Sequence, residues 1–270
     1  MQYFDFHTHA FTNELAQRAL SGLAETSGIA PATDGTVNGL RRKLAENGIE
    51  KAMLLPVATK PSQQVTINNW AASVMCSNLY CCGTVHPDSE DVLDEVKRIK
   101  SLGLCGVKFH SEYQKFCPNE ERMFPIYEKI AELGLLAVFH GGWDPYSEDM
   151  IRATPQSFAI VAENFPKLKI IAAHLGGMKL WDDIEKYTAG KYDNLWFDVS
   201  VISRYIEDDK LFRIIRLQGA NKVLFGSDCP WDDPANEISM IERLPLTDFE
   251  KELIFHKNAE ELMYPYISSP

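Results

Sequence analysis

Eight short apolar runs rich in β-forming residues recur along the chain, each followed by a polar connection and usually by an amphipathic stretch of helical period. They are Tyr3 to His7, Ala52 to Val57, Tyr80 to Val85, Gly106 to His110, Leu136 to His140, Ile170 to His174, Leu195 to Val199 and Val223 to Asp228. Strands that read as continuous apolar runs, rather than alternating, are buried on both faces, which is the condition of a parallel sheet wrapped by helices. Eight strand–helix repeats in 270 residues fit the ~250 residues of a (β/α)8 barrel. An open doubly wound sheet fits less well, because six strands suffice for it and no glycine-rich phosphate loop follows an early strand. The sequence therefore predicts an α/β fold, a (β/α)8 TIM-like barrel, with residues 1–270 as one domain undivided by any linker or low-complexity tract.

The intervening helices carry their own punctuation. Helices are expected over Asp91 to Leu102, Glu120 to Leu133, Pro155 to Phe165 and Asp208 to Leu217. Pro155 suits a first helical turn, Gly103 and Gly134 suit C-terminal caps, and Thr247 with Glu250 fits a capping box. Ser21 to Thr36, rich in small residues, reads as a loop over the barrel mouth. Asp248 to Met263 reads as a terminal helix closing against the barrel.

In such a barrel the strand C-termini converge on one mouth, where the chemistry resides. The histidines follow this geometry. His7 and His9 form an H-x-H at the end of the first run, and residues i and i+2 of an extended segment face the same way. His110, His140 and His174 each end another run, and Asp228 ends the last. Imidazole nitrogens with a carboxylate oxygen suit a borderline divalent ion such as zinc, and three or four ligands leave a position for water. One H-x-H alone is more often structural than metal-binding; the recurrence at the same place on several strands is what points to a site. Gly141, Gly142, Gly176 and Gly177 follow two of these histidines and permit sharp turns. Lys108, two residues before His110, should face inward with it. Arg204 is placed to reach an anion but fits a surface ion pair better, and Trp143 and Trp231 could wall a pocket. His86, His256 and Cys229 read as turn, packing and filler residues.

Charge limits the partners. Lys and Arg number 27 against 38 Asp and Glu, a formal net charge of −11. That field repels polyphosphates, so neither nucleic acid nor an anionic membrane surface is an expected partner, and an anionic substrate would need local cations. No apolar run approaches the ~18 residues of a membrane span, and the opening MQYFDFHTHAF lacks the basic and apolar stretches of a signal peptide. Six cysteines without a CxxC pair suggest reduced thiols and a cytoplasmic location.

Six segments taken together resemble the amidohydrolase superfamily, in its aminocarboxymuconate-semialdehyde-decarboxylase-like branch: FDFHTHAF at the start, GVKFH at Gly106 to His110, VFHGG at Val138 to Gly142, AAHLGG at Ala172 to Gly177, FGSDCPW at Phe225 to Trp231 and HKNAEELM at His256 to Met263. The resemblance covers nearly the whole chain in the expected order. It implies a distorted barrel with one divalent ion, zinc or manganese, held by His7, His9, His140 and Asp228. His174 would activate water or shuttle its proton, a role Asp228 shares in hydrolytic members. Lys108 is either a carbamylated bridge between two ions, as in two-metal branches, or a cation for a substrate carboxylate with His110 donating a hydrogen bond; a third reading has it neutralising a buried acid. The implied activity is hydrolysis of a small ester, lactone or amide, or alternatively non-oxidative decarboxylation of an unsaturated or aromatic acid. Homodimers are common in the group.

Overall fold

The computed structural model describes residues 1–147 and 150–267; Glu148, Asp149 and the last three residues of the expected domain lie outside the described residues. Two sheets form, and every paired strand in them is parallel. The first joins β1 (Phe4–Thr8), β2 (Lys51–Leu54) and β3 (Leu79–Cys81). The second runs in chain order through β4 (Gly83–Thr84), β5 (Gly106–Phe109), β6 (Leu136–Phe139), β7 (Lys169–Ala172), β8 (Leu195–Asp198) and β9 (Val223–Leu224). β3 and β4 are halves of one expected run, interrupted at Cys82.

Hydrogen bonds join the two sheets at both borders. At one, Cys105 N donates to Cys81 O (2.9 Å). At the other, Phe6 N donates to Phe225 O (2.8 Å), Asp228 N to His7 O (2.8 Å) and His9 N to Cys229 O (2.7 Å).

All strands but β1, which runs one residue past its expected end at His7, stop one or more residues short of the expected ends, and this shortening helps make the site. His110, His140, His174 and Asp228 each lie just past a ladder, in the connections at the C-terminal strand ends. Burial on both faces explains the continuous apolar runs. On β6, Ala137 and Phe139 join the large cluster between sheet and helices, while Leu136 and Val138 join a smaller one with Phe4, Met53, Ile171 and Leu224. The next residue on that second face is His140. Leu262 and Met263 of the terminal helix cover the smaller cluster.

The expected helices form at Val92–Ser101, Phe124–Glu132 (after a 3-10 turn), Pro155–Asn164 and Asp208–Gln218, with Pro155 in the first turn and the Thr247–Glu250 capping box closed. The terminal helix is interrupted by a π turn at Leu253–Lys257. The expected loop Ser21 to Thr36 is corrected in part: a helix spans Asn13–Ser27 and ends at Gly28, whose φ is 70°. Ala16 and Leu20, one turn apart, are buried beneath it, and that tertiary contact outweighs the small residues that suggested a loop. Among the described residues no helix is long and apolar enough to cross a membrane. All six cysteines are free; Cys81, Cys82, Cys105 and Cys229 are buried.

Candidate metal centre

The turn after β9 starts the site. Gly226 lies so close to β1 that a Cβ there would meet His7 Cβ at 2.8 Å. Asp228 then takes a left-handed φ of 64°, fixed by its N–H on His7 O. This turn brings the Asp228 carboxylate beside the H-x-H of β1.

The orientation of both imidazoles follows from their partners. His9 Nδ1 lies 2.7 Å from Leu55 O, and a carbonyl only accepts, so Nδ1 carries a proton and Nε2 is the nitrogen turned to the site. His7 Nδ1 lies 2.8 Å from Asp198 Oδ2 and donates to it, so in the neutral ring His7 Nε2 presents a lone pair. Burial, the Lys108 ammonium and the weaker pull of Asp198 leave the His7 pKa lowered to about 4, so the ring is neutral near pH 7. These two nitrogens face each other at 3.2 Å. Asp228 Oδ1 is 2.9 Å from His9 Nε2 and 3.4 Å from His7 Nε2. Burial favours protonation of Asp228, but the neighbouring histidines outweigh it and hold the carboxyl below its usual range. Three donor atoms thus meet within hydrogen-bond distance, and a cation between them, or a proton such as the Lys108 ammonium offers His7 Nε2 at 3.1 Å, makes the contact attractive. Ligands ~2.0–2.1 Å from a tetrahedral zinc stand about 3.3–3.4 Å apart, close to the separations found here. The donor set fits a divalent ion.

Asp198, the last residue of β8, organises the layer behind. Its Oδ1 accepts from His174 N (3.0 Å), Ser200 N (3.1 Å) and Ser200 Oγ, while Oδ2 takes His7. Burial alone would raise its pKa, but His7 and these hydrogen bonds hold it ionised. Ser200 O accepts from His174 Nδ1 (2.9 Å), which turns His174 Nε2 toward the cavity, where it has no hydrogen-bond partner among the described residues. His174 and Leu175 both sit at left-handed φ, 57° and 59°. Neither Asp198 nor Ser200 was singled out from sequence; Asp198 lies inside the expected run Leu195 to Val199 and ends the strand only in the structure.

His140 stands apart from the three converging donors. Its ring stacks on His110 (4.2 Å between centroids, 12° between planes) and meets His174 edge-on (4.9 Å); its Nε2 is buried without a partner. Tyr113 covers the other face of His110 at 3.6 Å, and Asp144, also missed from sequence, places Oδ2 3.6 Å from His110 Nε2. Burial pushes the Asp144 carboxyl up to about 7 and lowers both histidines well below their usual value. His110, His140 and Asp144 form a second group of donors within 4.8 Å. Imidazole binds an ion along its ring plane, so two nearly parallel rings direct their lone pairs side by side rather than to one point.

Lys108 is buried, with Nζ 3.1 Å from His7 Nε2, and burial lowers its pKa to about 8. It makes no ion pair within 4.0 Å among the described residues, but the buried Asp198 and Asp228 carboxylates oppose that lowering from farther away. Arg204 is satisfied by buried Asp232 (2.6 Å). Cys229 is buried and its thiol is pushed above the ordinary range, consistent with a filler. His86 and His256 lie outside the cavity.

All seven expected site residues line one cavity of about 700 Å³. Its walls are largely aromatic and aliphatic, with Phe11, Trp70, Tyr113, Trp143, Tyr205 and Trp231 among them. The arrangement can hold a cation at one end, hold a proton acceptor at His174 Nε2, and exclude water from a flat apolar molecule between them.

A family model described as amidohydrolase matches residues 5–263. No curated protein matches the chain. Among solved structures, an uncharacterized TIM-barrel protein of Bordetella bronchiseptica superposes with a TM-score of 0.79 at 16% identity, over 98% of this chain and 99% of that one. A probable 2-pyrone-4,6-dicarboxylic acid hydrolase of Acinetobacter baumannii, with citric acid bound, gives 0.69 at 17% identity over 98% and 100%. A dihydroxybenzoic acid decarboxylase of Polaromonas, with manganese and 2-nitroresorcinol bound, gives 0.70 at 17% identity over 97% of each chain. Identities this low speak to the fold alone.

Proposed function

The chain belongs to the amidohydrolase family, and from that premise we propose that it is a metal-dependent hydrolase of a small ester, lactone or amide, working at the mouth of a closed (β/α)8 barrel. The hydrogen bonds at both sheet borders support the closure. The convergence of two imidazole Nε2 atoms and a carboxylate oxygen within 3.4 Å carries the proposal.

His7 Nε2, His9 Nε2 and Asp228 Oδ1 would hold one divalent ion, zinc or manganese, with the unpartnered Nε2 of His140 brought in by rotation of its ring out of the stack. The parallel rings of His110 and His140 argue for one ion rather than two. When bound, the ion supplies Lewis acidity, polarising a carbonyl oxygen and bringing the pKa of water to about 7. The chain's own groups do the rest. His174 Nε2 takes the proton from water and returns it to the leaving group. Ser200 O keeps that histidine in the required tautomer, and Asp198 holds its backbone N–H. Asp228, held ionised, serves as an anionic ligand, so the base role falls to His174. Lys108 and His110 face the inner end of the cavity, where an ammonium and a ring N–H can take a substrate carboxylate.

Decarboxylation of an aromatic acid is the second reading, favoured by the aromatic walls, which desolvate a carboxylate and accept a flat ring. The test is elemental analysis of the purified protein with Asp228→Ala beside it, followed by a panel of lactones, esters and aromatic acids. We expect one equivalent of divalent ion in the parent and loss of it in the variant. Full occupancy in Asp228→Ala sinks the site, and carbon dioxide release without hydrolysis moves the assignment to the second reading.

A further inference from the structure

Trp143, Met178 and Tyr205 wall the cavity from three neighbouring connections, those that follow β6, β7 and β8. Main-chain bonds lace the first two together: Trp143 N donates to Met178 O (3.0 Å) and Met178 N to Gly141 O (3.0 Å). The next residue, Lys179, is exposed and does not line the cavity. Its ammonium nevertheless lies 3.2 Å from the centroid of the Trp143 ring and 5.0 Å from that of Tyr205, two rings that stand 6.4 Å apart at 63°. One cation backs the wall from outside where the three connections meet.

Two observations mark this contact as built. Lys179 stands at a left-handed φ of 63°, a backbone that a non-glycine residue keeps only where its surroundings over-determine it. Among the described residues its side chain has no hydrogen bond or ion pair, although Asp and Glu outnumber Lys and Arg 38 to 27. The charge is spent on aromatic faces instead, and indole is the ring that attracts an ammonium most strongly. The same connection carries His174, five residues earlier, so the clasp ties the wall to the segment that holds the proton acceptor.

We propose that Lys179 is a positioning residue: its ammonium holds the Trp143 ring, and Tyr205 with it, as a fixed plate on which a flat substrate stacks. Lys179 acts through Trp143 and does not touch the substrate. A plate already held in place loses less freedom when a ligand packs on it, so the clasp appears as affinity. It can lend no more than its own strength, about two- to fivefold for an exposed pair. The proposal rests on the proposed function for the cavity being the place of reaction.

The test is calorimetric titration with naphthalene-2-methanol, a flat probe without charge, so that the lysine exerts no direct ionic pull on it. The proteins compared are the full-length chain, Lys179→Gln, Lys179→Arg, Trp143→Leu and Lys179→Gln combined with Trp143→Leu. Gln and Arg share the unbranched stem of Lys, so the left-handed backbone is equally strained in all three. Lys179→Gln should weaken the probe about two- to fivefold. Lys179→Arg, which keeps a cation able to stack on an aromatic face, should stay within about 1.5-fold of the parent. With Trp143→Leu already present, Lys179→Gln should change nothing further. A parent that does not bind the probe overturns the proposal. So does Lys179→Gln that binds as the parent does, Lys179→Arg as weak as Lys179→Gln, or an effect of Lys179→Gln that persists without Trp143. Metal content of the same samples reports separately on the proposed function: protein that takes up no divalent ion sinks that reading, whereas unmoved affinities in metal-replete protein sink only the role of Lys179.

Discussion

Asp198→Asn replaces one carboxylate oxygen by an amide nitrogen at nearly constant volume, which makes it a sharp probe of the layer behind the donors. Asp198 Oδ2 accepts from His7 Nδ1 at 2.8 Å, while Oδ1 accepts from His174 N, Ser200 N and Ser200 Oγ. An amide has only one accepting end. If its oxygen faces the backbone donors, its NH2 confronts His7 Nδ1, and the ring must shift its proton to Nε2, the atom that faces His9 and Asp228. If the amide turns over, its NH2 meets two backbone N–H groups, and each buried donor left unpaired costs about 1–3 kcal/mol. The first arrangement strands fewer donors and is the one expected. Removing the partner that orients a metal-binding histidine typically weakens the ion by 10–100-fold, about 1.4–2.7 kcal/mol. Competition with a chromophoric chelator for zinc measures this directly, and nitrogen chemical shifts of His7 report its tautomer. Zinc affinity within about threefold of the parent, or a His7 that keeps its proton on Nδ1, would refute the reasoning.

His174→Asn should lower turnover by about 10²–10⁴-fold with metal content unchanged. Asn tolerates the left-handed φ of 57° at this position, so loss of the ion together with activity would instead make His174 a ligand. Burial pushes the Asp5 carboxyl, which accepts from Ser227 and His7 N, up to about 7, against an ordinary value of ~3.9 in the unfolded chain. A raised carboxyl binds its proton more tightly when folded, so its contribution is full below about pH 4 and disappears as pH rises through about 7. Urea midpoints of the metal-free protein should show Asp5→Asn flattening that decline, and an unchanged difference between the two profiles would count against it. His7, lowered to about 4, tilts both profiles the other way and cancels in the comparison.

The strand order and the grouping of the donors were legible because both depend on composition along the chain: runs buried on two faces, five of the eight ending in a histidine or an aspartate. His7, His9 and Asp228 could be grouped in this way because parallel strands bring their C-termini to one end whatever their separation in sequence. Side-chain orientation was not legible. Whether His140 turns toward His7 or lies flat on His110 depends on Tyr113 and Asp144, which approach from two different connections. Asp198 was hidden for another reason: its role exists only through His7 and Ser200, and no spacing announces a hydrogen bond across 191 residues of chain. The helix Asn13–Ser27 was misread in part because Ser21, Gly22 and Ala24 resemble a loop until Ala16 and Leu20 find a surface to bury against.

The same crowding that makes the site a trap for cations must weaken the fold without one. Non-glycine residues at positive φ cost of order 1–3 kcal/mol each and persist only where their surroundings over-determine them. His174, Leu175 and Asp228 are three such residues, held by His174 N on Asp198, Gly176 N on Ala173 O and Asp228 N on His7 O. To this is added the crowding of two imidazole nitrogens and a carboxylate within 3.4 Å, which the Lys108 ammonium, 3.1 Å from His7 Nε2, relieves in part. Protons and ion compete for these donor atoms, so zinc affinity should fall as pH drops. Because the unfolded chain has no preformed site, an ion at 1,000 times its dissociation constant should stabilise the fold by about 4 kcal/mol. Differential scanning calorimetry with zinc and with EDTA measures that rise, and His9→Ala, which removes one of the three donors, should abolish the response to zinc. If His9→Ala keeps the full response to zinc, the cation site is misplaced.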